Sequence, residues 1–204
     1  DAAQAGQNVK GEAGSSSDNN VSEKAESAKA VEASETATTT VAADGVSDTK
    51  SAGIPDLYSA LTGTAIPLSQ VNDVTFASEV LGKGIAVIPE KGEVVAPCDA
   101  TVETVFDTKH AVGMSTESGV ELLIHIGINT VELGGKYYTT HVKDGDQVKK
   151  GQLLVSFDMD KIKEAGYDVT TPLIVTNSDD YRDVKILHEG MVTPEDKVLE
   201  IVKE

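Results

Sequence analysis

Residues 106–127 read Phe106-Asp107-Thr108-Lys109-His110-Ala111-Val112-Gly113-Met114-Ser115-Thr116, then Glu117-Ser118, then Gly119-Val120-Glu121-Leu122-Leu123-Ile124-His125-Ile126-Gly127. Two runs of strand-forming residues flank a short polar pair, the pattern of a β-hairpin. If Glu117-Ser118 is a two-residue loop, Thr116 pairs with Gly119 and the register is fixed. Counting back along both strands places His110 directly opposite His125 on one face, with Cβ atoms about 5 Å apart. The period of two puts Phe106 and Thr108 on the face of His110, and Leu123 on that of His125. Glu-Ser is not a favoured turn pair. A three-residue loop with Gly119 in the left-handed region would slip the register by one, and a local bulge could then restore the faces.

Two facing imidazoles suggest a definite chemistry. Imidazole changes charge near pH 6.5, so it is neutral or cationic at neutral pH with little bias. One neutral ring can accept a phosphoryl group as a nucleophile, and the other can hydrogen-bond to the phosphoryl oxygens. Phosphoryl transfer asks for in-line positioning and charge stabilisation more than for covalent machinery. Apolar neighbours such as Phe106, Leu123 and Ile126 would restrict water and slow hydrolysis of a phosphohistidine. The same pair could instead hold a metal, but two histidines need a third and fourth ligand. No H-x-H or H-E-x-x-H pattern supplies them.

The strands on either side extend the pattern. From about Ile54 onward, apolar bursts of four to seven residues alternate with Gly, Asp, Asn and Pro, as in Gly82-Lys83-Gly84, Pro89-Glu90-Lys91-Gly92, Gly134-Gly135 and Asp144-Gly145-Asp146. Many short strands between turn signals predict an all-β domain over 55–204, a β-sandwich or partly closed barrel with a few short helical turns. Strands are expected at 84–88, 94–96, 101–106, 110–116, 120–126, 137–141, 153–157, 171–176 and 198–202. Val102 and Val105 break strict alternation in the third of these. A short helix is expected at 159–165, with Asp158 as its cap and Gly166 as its stop. Another single turn is expected at 179–183.

Residues 1–54 differ sharply. The first 50 contain no Leu, Ile, Phe, Met, Tyr or Trp, and 23 of them are Ala, Ser or Thr. Such a segment buries too little apolar surface to offset its backbone entropy, so it is expected to be a disordered acidic tether. A tether implies a further domain beyond it, the alternative being a tail with no partner. The chain opens on Asp1 rather than Met, as a piece of a longer protein would. Across all 204 residues, 34 Asp and Glu against 17 Lys and Arg give a net charge of −17. That charge argues against nucleic-acid binding and against an anionic membrane surface. No apolar run is long enough to span a bilayer, and a lone Cys98 excludes an internal disulfide. A reducing, cytoplasmic setting follows.

Several stretches go further and resemble one family. They are Thr108-Lys109-His110-Ala111, the run from Gly119 through His125-Ile126-Gly127-Ile128-Asn129-Thr130-Val131-Glu132 to Leu133, and Thr171-Pro172-Leu173-Ile174-Val175-Thr176-Asn177. Upstream, Pro67-Leu68-Ser69, Asp73-Val74-Thr75-Phe76, the run from Gly82 to Pro89, and Val94-Val95-Ala96-Pro97 belong to the same pattern. Together, residues 55–204 resemble the glucose-type enzyme IIA domain of the bacterial phosphoenolpyruvate:sugar phosphotransferase system. The resemblance implies an antiparallel β-sandwich. It implies transfer of phosphate from the phosphocarrier HPr onto a histidine, then onto a cysteine of an enzyme IIB domain. By motif position His125 is the phosphoryl acceptor, His110 its stabilising partner and Thr108 their hydrogen-bonding support. Asp73, Val74, Phe76, Phe106, Leu123 and Val131 fall at or beside the partner-docking rim. Asn129 stands where the family usually carries an acid. No cofactor is implied, although zinc bridging His110 and His125 to a partner's carboxylate stays open. A fused sugar permease on the far side of the tether fits the same pattern, with recruitment to the cytoplasmic face of the membrane and no direct insertion.

Other readings compete. The same resemblance implies a regulatory binding module whose partner affinity switches with histidine phosphorylation. The stretch Val142 to Leu154, with its two turns, resembles biotinyl and lipoyl carriers and cell-wall zinc peptidases. A carrier needs a modifiable lysine on a hairpin tip, and Lys161 after Met159-Asp160 is a poor match. Lys149 and Lys150 read as exposed turn residues, His141 and His188 as bystanders, and Cys98 as an inert thiol. Asp73, Glu121 and Glu132 are the candidates for an acidic rim that steers a basic carrier.

Overall fold

The computed structural model describes residues 53–203. The expected tether at 1–54 therefore lies almost wholly outside the described residues.

Every strand pairing is antiparallel. The largest sheet has eight strands, in the order β13 (Gly190–Val192), β2 (Gly63–Pro67), β3 (Lys83–Pro89), β11 (Thr171–Val175), β7 (Glu121–His125), β6 (Ala111–Ser115), β5 (Ala100–Val105) and β9 (Gln147–Val148). One three-stranded sheet orders β1 (Leu57–Tyr58), β14 (Lys197–Val202) and β12 (Asp183–Ile186). The other orders β4 (Glu93–Val95), β10 (Leu153–Phe157) and β8 (Tyr138–Thr140). The eight-stranded sheet keeps two free ends, β13 and β9, so the sandwich alternative holds and the barrel does not close.

All three sheets feed one core. Ile85, Val87, Val112, Met114, Leu122, Ile124, Leu173 and Val175 come from the large sheet, Leu154 and Val155 from the β10 sheet, and Val198, Leu199 and Ile201 from β14. Central strand β11 is buried at all five positions, which explains why it reads as a continuous apolar run rather than an alternation. Its second face, and that of β7, hold Ile174 and Leu123, also buried. Leu68, Val71 and Phe76, from the segment between β2 and β3, are buried as well, and the 3-10 turn Leu68–Gln70 lies against β3. The helix is Met159–Glu164; the Asp158 carboxylate accepts the N–H of Lys161 at 3.1 Å and Gly166 follows at φ +91°.

Two local irregularities decide what the hairpin displays. The loop is three residues long, not two. Gly119 sits at φ +85°, its N–H donates to the Thr116 carbonyl, and Thr116 pairs with Val120 through an N–H to carbonyl bond of 2.9 Å. The register is therefore one residue off the two-residue expectation: His125 lies opposite Ala111, not His110. The second irregularity is in β5, where pairing with β6 jumps from Val102 opposite Met114 to Thr104 opposite Gly113. Glu103 is the extra residue of a bulge, which accounts for the broken alternation between Val102 and Val105.

Gly84 shows how tightly the central strands close. A Cβ there would lie 2.1 Å from the Leu173 carbonyl oxygen and 2.9 Å from the Ile174 Cα, both fixed backbone. Gly84→Ala is expected to destabilise the fold by about 2 kcal/mol or more. Urea unfolding midpoints measure it, and an unchanged midpoint would mean that β3 and β11 can separate freely.

Candidate active site

His125 is the last residue of β7 and alternates with Leu123, so it leaves the sheet face opposite to Leu122 and Ile124. The chain then reverses sharply. Gly127 adopts φ +81°, Asn129 φ +60°, and the 3-10 turn Thr130–Leu133 follows. Asn is among the few side chains that tolerate the left-handed region, which gives Asn129 a local structural use. The turn brings the Gly127 carbonyl oxygen 2.8 Å from His125 Nδ1. A carbonyl only accepts, so Nδ1 carries the proton. In the neutral ring, the lone pair is then on Nε2.

His110 reaches the same place by a different route. It lies just outside β6, in the bend after β5. There Lys109 takes φ +57° and its N–H donates to the Phe106 carbonyl at 2.6 Å. The His110 carbonyl accepts from the Ile126 N–H at 2.6 Å. In a straight strand that pairing would send His110 to the core face. The bend at Lys109 re-aims it instead, and the two imidazoles meet with ring centroids 4.7 Å apart and planes at 78°. The bend also carries Thr108, whose Oγ1 lies 2.6 Å from His110 Nδ1, and Phe106, whose ring sits edge-on at 5.7 Å. So Phe106, Thr108, His110, Leu123 and His125 do share a site, but through a turn rather than through strand periodicity.

The two rings differ in environment. His110 is 1% exposed, and burial, with the adjacent His125 ring, pushes its pKa down to about 3. It is neutral at every physiological pH. Its Nε2 is buried without a hydrogen-bond partner. A buried nitrogen left unpaired costs free energy that a visiting acceptor or donor would recover. The Thr108 hydroxyl can donate to Nδ1 or accept from it, so it supports either tautomer, leaving Nε2 as donor or as acceptor.

Phe76 walls the other side, its ring centroid 5.0 Å from that of His125. It belongs to the short helix Val74–Ala77, where the Asp73 side chain accepts the N–H groups of Thr75 (2.9 Å) and Phe76 (3.4 Å). Asp73 thus acts locally as a cap that fixes Phe76. Two of the expected docking residues need correcting. Phe76 and Leu123 are 2% and 4% exposed, so they form wall and floor of the site rather than its surface. Val74, at 83%, and Val131, at 36%, are exposed, and Phe106 is half-buried. Of the acidic candidates, Glu132 is exposed and accepts from the Tyr167 hydroxyl. Glu121 starts β7 while His125 ends it. At about 3.3 Å per residue the two are roughly 13 Å apart, so Glu121 is not beside the rings.

The remaining groups stay apart from this site. His141 bonds the Ser156 hydroxyl at the surface and His188 is exposed. Cys98 is buried and its thiol is pushed up to about 12, as an inert thiol requires. Lys161 is paired with Asp158 on the helix Met159–Glu164, not at a hairpin tip, which removes the carrier reading. Among the described residues, no group of three or more His, Cys, Asp or Glu is placed to hold a metal ion. No described helix is long and apolar enough to cross a membrane.

Residues 55–181 match the family described as phosphoenolpyruvate-dependent sugar phosphotransferase system, EIIA 1. The chain is 46% identical over 143 residues to the PTS system glucose-specific EIIA component of Oceanobacillus iheyensis, covering 70% of this chain and 87% of that one. It is 48% identical over 143 residues to the PTS system beta-glucoside-specific EIIBCA component of Bacillus subtilis, covering 70% of this chain and 24% of that one. Among solved structures, glucose permease IIA from Mycoplasma capricolum superposes with a TM-score of 0.66 at 34% identity, over 70% of this chain and 92% of that one. The fold is that of a IIA phosphotransferase component of sugar transport. The chain belongs to the EIIA 1 family of the phosphoenolpyruvate-dependent sugar phosphotransferase system. It spans about a quarter of the length of the beta-glucoside relatives it matches, 22 to 24%.

The pKa of His110 has a consequence for stability. Its folded value, about 3, lies below the ordinary 6.5. Above pH 6.5 the ring is neutral in both folded and unfolded chains. As pH falls from there toward 3, the unfolded chain binds the proton first, so folding stability is progressively lost. Urea midpoints measured from pH 7 to pH 4 should fall, and His110→Gln should flatten that slope. Equal slopes in the two proteins would show that His110 does not titrate in this way.

Proposed function

We propose that His125 carries the phosphoryl group, taking it from the phosphocarrier HPr and giving it to a cysteine of an enzyme IIB domain. The observation that supports this most is the division of labour in the His125 ring. Nδ1 is committed to the Gly127 carbonyl, leaving a lone pair on Nε2 beside a second, neutral imidazole. The Nε2 lone pair forms a bond to phosphorus as the bond from phosphorus to the carrier breaks. That bond's electron pair departs with the carrier. The imidazole keeps its Nδ1 proton, and the positive charge it gains is shared with the Gly127 carbonyl. Onward transfer reverses the roles: the thiolate sulfur attacks phosphorus and the P–N pair returns to Nε2.

His110 and Thr108 stabilise the loaded state. With the Thr108 hydroxyl donating to Nδ1, His110 presents an Nε2–H to a phosphoryl oxygen and so satisfies the nitrogen otherwise unpaired. Because His110 is neutral, it gives a directional hydrogen bond without an ion pair that would hold the phosphoryl group too tightly for relay. Phe76, Phe106 and Leu123 limit the approach of water and so favour transfer over hydrolysis. Val74 and Val131 offer an apolar contact to either partner, with Asp73 and Glu132 as nearby acids. For a zinc ion the pair would supply two imidazole nitrogens, and the other ligands would have to come from a partner or solvent. Residues 1–54 would join the domain to a IIB-bearing permease at the membrane.

His125→Ala should abolish labelling from phosphoenolpyruvate in the presence of the upstream enzymes. His110→Ala should still accept phosphate but pass it on about a hundredfold more slowly. The wild-type label should be acid-labile and alkali-stable. Undiminished labelling of His125→Ala, or an acid-stable label, would refute the assignment. If acids steer a basic carrier, raising ionic strength should slow acceptance. A salt-independent rate would remove the steering.

A further inference from the structure

Two buried hydroxyls converge on a single backbone atom behind the histidines. Thr130 Oγ1 donates to the Ile126 carbonyl oxygen at 2.6 Å, and Tyr138 Oη donates to the same oxygen at 3.0 Å. Thr130 is 0% exposed and Tyr138 is 5% exposed. Ile126 is the residue after His125, and its N–H is already committed to the His110 carbonyl. Its carbonyl begins the peptide unit that leads into Gly127, whose own carbonyl holds His125 Nδ1. The Thr130 methyl completes the fit: a Cβ on Gly127 would lie 2.5 Å from Thr130 Cγ2 and 2.8 Å from the Asp168 carbonyl oxygen. The loop is pinned once more where the Ile128 N–H donates to that Asp168 carbonyl at 2.8 Å.

We infer that Thr130 and Tyr138 are positioning residues: by clamping the Ile126 carbonyl they fix the 126–127 peptide, so that the Gly127 carbonyl holds the proton on His125 Nδ1 and leaves Nε2 to react. Both hydroxyls bond the backbone behind the ring, so the role assigned to them is positioning rather than catalysis. Their effect passes through the 126–127 peptide to the next one, 127–128, which carries the Gly127 oxygen and whose Ile128 N–H is held by the Asp168 carbonyl. A turn of the first plane would swing the second about the Gly127 Cα and take that oxygen out of line with Nδ1. The ring would then be free to turn or to exchange its proton between the two nitrogens. Burial pushes the Tyr138 phenol up to about 12, so the hydroxyl remains a donor throughout the physiological range.

The importance of this for transfer rests on the relay assigned to His125, but the tautomer can be read without any transfer. Nitrogen-15 NMR of the uniformly labelled protein reports which nitrogen of His125 is protonated. Wild type should show the Nδ1–H form alone. Tyr138→Phe removes one oxygen and keeps the ring. It should bring a measurable Nε2–H population and lower the maximal rate of phosphoryl acceptance about tenfold, with little change in the half-saturating carrier concentration. Thr130→Val should do the same, and Thr130→Ser, which keeps the hydroxyl, should restore both readouts. Should Thr130→Val fail to fold, Tyr138→Phe decides alone. A folded Tyr138→Phe with the wild-type tautomer and rate overturns the inference. A tautomer shift in Tyr138→Phe, together with a wild-type protein that accepts no phosphate, upholds the clamp and refutes the relay.

Discussion

The hydrogen bond from His125 Nδ1 to the Gly127 carbonyl, 2.8 Å long, joins a residue to the backbone only two positions ahead. Such a bond forms only if the chain reverses immediately after the strand, and a positive φ at Gly127 allows it to do so. The consequence is chemical. A ring with one nitrogen committed to a carbonyl has a single lone pair to offer, in a single place. Much of the surrounding fold can be understood as holding that turn and that ring still.

The β-sandwich supplies the stillness. His125 ends a strand flanked by β6 and β11 in the middle of an eight-stranded sheet, and the sheet is packed on both faces there. One face joins the common core of all three sheets. The other carries Leu123 as a floor and Phe76, held by its Asp73-capped helix, as a wall. Interiors packed this closely resist small displacements, so an imidazole set on them keeps its place when a partner docks. In the proposed relay the moving part is the phosphoryl group, and Val74 and Val131 are exposed apolar residues of the domain.

Much of the architecture was legible in the sequence because its strands are short apolar bursts between Gly, Pro and Asp. The strands from Lys83 to Val105, the hairpin, β10 and β11 announce themselves in this way. Strands β1, β2, β9, β12 and β13 do not, since two to five residues of mixed polarity carry too little periodicity to separate from loop. Of the two hairpin loops the sequence allowed, the structure takes the three-residue one, in which Gly119 completes Glu117-Ser118 in the left-handed region and the register slips by one. That slip would have separated the histidines had Lys109 not bent the chain back. The pairing of His110 with His125 was right for a reason that strand counting does not contain.

The site divides in the same manner. His110, His125 and Thr108 were brought together by strand counting, and motif resemblance added the role expected of each without explaining how they meet. Phe76 and Leu123 were placed at or beside the docking rim, because sequence does not reveal which apolar side chains at a site line its interior. Thr130 and Tyr138 went unnoticed. Their signal is faint: a Thr four residues after Ile126, and a Tyr whose hydroxyl must find a partner once its ring is buried. Only coordinates show that both reach one carbonyl. The central claim is that a backbone-held Nδ1 proton makes Nε2 of His125 the atom that receives phosphorus. Phosphorus–nitrogen couplings measured by NMR on the phosphorylated, nitrogen-15-labelled protein test it most directly. They should place phosphorus on Nε2 of His125 with Nδ1 still protonated; phosphorus on Nδ1, or on His110, would contradict it.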